Sequence, residues 1–223
     1  MSVAFDAFTA SSAGTGDISF THTPVGSPRA VIVYVLTNVE GDEITSVSYG
    51  GVAMTQTTDS PTLNTAGEDG GSHCFFLGSS IPTGAQTVAV TTSGTTTTKI
   101  AGCVTLTASN DTEVVDTASL VSNSQMNPTV TLSLGGRECF AMIGSWTGIG
   151  NLTSPFTGWT ERLDHDFGNQ GGVINTYDTI GTTDVSAGFT AGADDVALHA
   201  IAVSETAGGG GVTVKQLAAL GVG

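Results

Sequence analysis

RAVIVYVLT, residues 29–37, carries an unbroken apolar run over 31–36. Such a run suits a central strand covered by protein on both faces. FAMI at 140–143 has the same character, whereas TVAVTT at 87–92 and TVTLSL at 129–134 alternate and suit strands with one face in water. Outward from these anchors, period-two patterns bounded by Gly, Pro, Asn and Asp recur along the chain. They predict strands at 3–8, 17–23, 29–37, 44–50, 52–57, 73–78, 86–92, 99–107, 128–134, 138–146, 158–164, 172–179, 185–190 and 195–205. No window holds a helical period. The fold expected is all-β: an antiparallel two-sheet β-sandwich, jelly-roll-like, over residues 1–207.

The two anchors also begin matching series. RAVIVYVLT, YGGVAMTQ, GSHCFFLGSSIPTGAQTVAV and KIAGCVTLT are echoed in the same order by ECFAMIGSW, FTGWTERL, GGVINTYDTIGTTDVSAGF and VALHAIAVSE. Each series runs from a buried strand through an aromatic and glycine turn and a Gly-rich start to a last long apolar strand. The echo predicts two pseudo-equivalent sets of strands packed face to face.

Composition narrows the function classes. The 223 residues fit one β domain with a sizeable core. Lys and Arg number 5 against 20 Asp and Glu, a formal charge of -15, so the long-range field disfavours phosphate backbones and anionic lipid heads. No nucleic acid and no membrane partner is expected. Charged residues are nevertheless only 11% of a Thr- and Gly-rich chain, which reads as a packed β protein and not an acidic disordered one. Cys74, Cys103 and Cys139, an odd number inside apolar runs, read as reduced buried thiols. No secretory signal opens the sequence, so synthesis in a cytoplasm is the expectation.

Little in the chain resembles catalytic machinery. GSWTG at 144–148 misses the spacing of a nucleophile elbow. His22, His73, His165 and His199 stand singly, without the close partners that bring two imidazoles to one metal; His199, inside VALHAIAV, reads as a core histidine with a satisfied ring. No cofactor and no zinc site is expected. Asp164, Asp166 and Asn169 in LDHDFGNQGG form a weak calcium candidate, but Gly168 stands where a loop of that kind needs an oxygen ligand, and an acidic hairpin turn is the favoured reading. Of the two tryptophans, Trp159 reads as a core plug; Trp146, before the TGIGNLTSP loop, reads by default as buried, as a large aromatic at a strand end is, and is the candidate contact for a glycan ring if that loop exposes it.

The chain closes on GGGG at 208–211 followed by VTVKQLAALGVG, in which Val212, Val214, Leu217, Leu220 and Val222 surround one charge. A glycine hinge before an apolar segment is the pattern of an arm that docks on another surface. With this ending, ISFTHTPVGSPRAVIVYV, ITSVSYGGVAMTQ, FFLGSSIPTGAQTVAVTTSG and VALHAIAVSETA resemble the β-sandwich virion proteins of tailed bacteriophages over residues 3–207. The resemblance implies a non-enzymatic component of a head surface or fibre, made in the host cytoplasm and assembled as a homo-oligomer with other virion proteins. It carries over no site residues. A glycan- or receptor-binding, lectin-like sandwich at a tail or fibre tip, meeting a host-surface glycan, is the alternative expectation.

Overall fold

A computed structural model describes residues 3–39, 41–65, 69–94, 97–148 and 155–206. Every regular element among them is a strand. In the first half, an inner sheet runs β1 (Ala4–Ala10), β11 (Thr98–Thr107), β4 (Ala30–Thr37), β9 (Gly70–Leu77), β7 (Thr55–Gln56); β2 (Gly14–Thr15) adds to β11 and β8 (Thr62–Asn64) to β9. Its outer sheet runs β3 (Ile18–His22), β10 (Gln86–Thr92), β5 (Ile44–Tyr49), β6 (Val52–Ala53). The chain alternates between the two sheets in the order of a jelly roll. In the second half, the inner sheet runs β12 (Thr112–Gln125), β18 (Asp194–Glu205), β14 (Cys139–Thr147), β16 (Gly171–Gly181), β15 (Trp159–Asp166), and a two-stranded outer sheet pairs β13 (Thr129–Leu132) with β17 (Val185–Gly188).

The two inner sheets share one plan. Around β4, Tyr34 lies opposite Gly102 of β11 and Cys74 of β9. Around β14, Gly144 lies opposite His199 of β18 and Ile174 of β16. Thus β1, β11, β4 and β9 correspond to β12, β18, β14 and β16, and the expected duplication is present in strand order and register. The halves also pack face to face, as expected. Four layers result where two sheets were expected: outer, inner, inner, outer. An apolar run tells that both faces of a strand are covered, but not by what, and here one face meets an outer sheet and the other meets the second half.

Three cores fill the gaps between layers. Val31, Val33, Val35, Val47, Tyr49 and Val88 close the first sandwich. Ala141, Ile143, Trp159, Phe189 and Leu198 close the second. Between the inner sheets, Ile32, Tyr34, Leu36 and Val104 meet Phe140, Met142, Ile174 and Ile201. Burying an apolar side chain of this size contributes roughly 1.5–3 kcal/mol, so this seam makes the halves one folding unit.

Close approach at the seam depends on missing side chains. The Tyr34 ring lies on the backbone of Gly144, and the indole of Trp146 lies on Gly70; a Cβ at either glycine would fall inside the facing ring. Overpacking of this kind is poorly relieved inside a filled core. Gly144→Val is therefore expected to lower stability by about 3 kcal/mol in urea denaturation. Gly14→Ala, at a position with open space around it, is expected to leave the midpoint within error.

Candidate functional site

Polar groups buried between the layers are the places where this fold could hold chemistry. At the seam, His199 projects from β18 toward β4 and the loop after β7. Its Nε2 is 3.0 Å from the Thr58 carbonyl oxygen, which can only accept, so the proton sits on Nε2; Nδ1 then accepts from the Tyr34 hydroxyl at 2.9 Å. The Thr57 hydroxyl, 3.3 Å from Nε2, donates to the Cys74 carbonyl. Burial pushes the imidazole down to about 4, against the smaller raising effects of the Thr58 carbonyl and Asp59. Both ring nitrogens are committed to the fold, as the sequence reading of His199 anticipated.

A second cluster lies between β1 of the first inner sheet and β3 of the outer one. Thr105 donates to Asp6 Oδ2 at 2.8 Å, so its oxygen accepts from His22 Nε2 at 3.1 Å, and His22 Nδ1 accepts from Thr9 at 3.0 Å. Asp6 also accepts from the Gly26 amide at 2.7 Å. The chain hydroxyl, imidazole, hydroxyl, carboxylate has the polarity of a relay that could activate Thr9. However, the backbone amide of nearby Ser11 donates to the Ala101 carbonyl and is not free to stabilise an oxyanion, and the Ser11 hydroxyl oxygen accepts from the Ala101 amide. The geometry explains a fully buried histidine, its pKa lowered by desolvation and partly restored by Asp6.

The third cluster closes the opposite end of the same sandwich. Lys99, fully buried, pairs its ammonium with Glu43 Oε2 at 3.1 Å and donates to the Thr97 carbonyl at 3.0 Å. The Thr97 hydroxyl bonds the same carboxylate and is the first cause of its lowered pKa. Beside them His73, with no exposed surface, stands with Nδ1 3.5 Å from Asp42 Oδ1 but without hydrogen-bond geometry. Desolvation holds its ring at about 4, opposed by the Glu43 charge. No sequence signal could join Lys99 to Glu43, since they meet only because the loop before β5 folds over the end of β11.

The sequence candidates fall elsewhere, and the structure does not bring them together. Trp146 is fully buried against Gly70 with its indole nitrogen unpartnered. It has no face for a sugar ring, and the glycan contact proposed from sequence is corrected: β14 is covered on both sides, so its last aromatic points into the seam. Trp159 is buried, as expected, and donates from Nε1 to the Ser186 carbonyl at 3.2 Å. Asp164 and Asp166 lie on β15 and Asn169 in the turn that follows. Phe167 N bonds the Gln170 carbonyl and Asp166 Oδ1 accepts from Gly168 N at 2.6 Å, which is the hairpin turn favoured from sequence. The Asp164 pKa is raised by desolvation, then by the charges of Glu161 and Asp166. Among the described residues no three His, Cys, Asp or Glu side chains group to hold a metal ion. The arm residues Val212, Val214, Leu217, Leu220 and Val222 lie outside the described residues.

All three cysteines are free and buried, in agreement with the sequence reading. Desolvation pushes the Cys74 thiol up to about 12 and that of Cys139 to about 11, and raises Cys103 further. No protein-family description, no curated protein and no solved structure matches this chain.

The buried histidines set a pH dependence. His73 and His199 are neutral in the fold down to about pH 4, whereas in the unfolded chain a histidine takes up a proton near pH 6.5. Their contribution is complete above that value and is lost as pH falls from about 6.5 to 4, by about 3 kcal/mol each. Urea midpoints are expected to drop steeply across this window, and His199→Gln is expected to flatten the slope by about half. A slope unchanged in the variant would remove His199 as a cause.

Proposed function

We propose that the chain is a non-enzymatic structural protein of a tailed-bacteriophage particle, a capsid-surface decoration or fibre component that assembles through contacts between subunits and through the arm at 212–223. The observation that carries this reading is the duplicated sandwich itself. Four layers closed by three continuous cores make a stiff block, and three of the polar groups inside it, His22, His199 and Lys99, are bonded to the fold. What such a block offers to other molecules is its edges and surface. The net charge of -15 fits a protein that stays soluble at high copy number until a matching surface takes it up. The resemblance of residues 3–207 to phage virion sandwiches points the same way, and synthesis in a host cytoplasm accords with three reduced thiols.

The test is deletion of residues 212–223. The shortened protein is expected to keep the urea midpoint of the parent and to lose incorporation into particles, read by electron microscopy and by protein content of purified virions. Unchanged incorporation would overturn the arm, and absence of the full-length protein from virions would overturn the whole reading.

A further inference from the structure

The longest strand of the protein, β12, ends its sheet. It pairs with β18 on one side, and no strand among the described residues pairs with the other. Between its two bulges, at Val114/Asp116 and Ser122/Gln125, the strand runs in regular register from Asp116 to Ser122 against Ala202 to Val196. An edge of this length is a template for another strand unless something blunts it. The other main edges of the inner sheets are blunted. β15 carries Glu161, Arg162, Asp164 and Asp166; β1 holds Asp6 at a bulge; β6 and β7 are two residues long. On β12 the sequence TASLVS at 117–122 has no charge, no proline and no glycine, and it opens a stretch of 117–136 without a single charged side chain.

The same stretch exposes apolar surface. Of the large hydrophobic residues exposed among those described, Val25, Val121 and Met126, two belong to it, Val121 at 48% and Met126 at 62%. Ser119 is exposed beside Val121, on the face that overhangs the first inner sheet, while Ala118 and Leu120 pack against the second core. The Ser122 carbonyl accepts from Asn64 Nδ2 at 3.1 Å, which anchors the strand at its far end and leaves 116–121 as the open row.

We propose that β12 pairs edge to edge, antiparallel, with β12 of a second copy of this chain, joining two five-stranded inner sheets into one across a two-fold axis near Ser119. Charge selects this occupant. Two molecules of charge -15 repel least where charge is absent from the contact, and the uncharged stretch is where they can meet. An axis near Ser119 sets Asp116 opposite Ser122 and Glu113 opposite Gln125, so no two carboxylates face each other, and it sets Val121 opposite Thr117. The contact is self-complementary, as a two-fold interface must be. This inference deepens the reading of the chain as an assembling subunit and rests on it, but it uses a surface separate from the arm.

The experiment uses the full chain in sedimentation velocity. The parent is expected to form a dimer that tightens with added salt as repulsion is screened. The double variant Ser119→Lys, Val121→Lys places four like charges across the axis at solvent-exposed positions. It is expected to weaken the dimer by about 100-fold or more with an unchanged urea midpoint. Single cysteines at 117, 119 and 121, oxidised under native conditions where the natural thiols are buried, are expected to link two copies at 119 and not at the other two. A parent that stays monomeric, a double-lysine variant that dimerises like the parent, or crosslinks at none of these positions would each overturn the proposal. Deletion of 212–223 separates the two ideas: the dimer is expected to survive it, and a dimer lost with the arm would overturn pairing through β12.

Discussion

The aromatic ring of Tyr34 pressed on the bare backbone of Gly144 is the contact on which the rest of this structure depends. It lies between the two inner sheets, where a missing side chain lets the ring reach the facing backbone. Around it, corresponding positions exchange partners: Gly102 of the first half receives Ile174 of the second, and His199, which corresponds to Gly102, lies over the strand carrying Cys74, which corresponds to Ile174. The seam is thus an internal version of a two-fold interface, with Tyr34 and Gly144 near its axis. Hydrogen bonds from the Tyr34 hydroxyl and to the Thr58 carbonyl satisfy His199 within it, and an imidazole left unpaired at that depth would cost about 1–3 kcal/mol.

Duplication did not produce two identical halves. Among the described residues the first outer sheet has four strands and the second has two. Where β5 and β6 cover the first inner sheet, Phe156, Trp159, Tyr177 and Phe189 gather in the core of the second half. Aromatic side chains supply large buried area per residue. The polar clusters diverged too. Lys99 with Glu43 and His22 with Asp6 close the two ends of the first sandwich, whereas Arg162 at the second half lies over the Phe5 ring and bonds Asp178, tying β15 and β16 to β1. These basic side chains are scarce in an acidic chain, and three of the five, Lys99, Arg137 and Arg162, hold separate strands together.

Much of the fold was legible in the chain. Continuous apolar runs over β4 and β14 marked strands covered on both faces, and the matching order of features marked the correspondence of the halves. β12 escaped because its bulges break the two-residue period twice within fourteen residues, so TEVVDTASLVSNSQ alternates in no fixed phase. Trp146 and Trp159 show a different limit. Both stand at strand ends next to glycine-rich loops, but the position of Trp146 is decided by Gly70, seventy-six residues away in the chain, and no local pattern contains that pairing.

What the sequence determined by itself was local: which segments other than β12 form the long strands, that β4 and β14 are covered, that the thiols are interior, and that the halves follow one plan. These follow from side-chain period and hydrophobicity, which each short segment carries with it. Only the tertiary structure decided which covered face meets which, that Trp146 turns into the seam, that Lys99 finds Glu43, and that among the described residues β12 is left with an open edge. Those outcomes depend on how two twisted sheets fit together. That fit is set by the shapes of residues far apart in the chain, Tyr34 against Gly144 first among them.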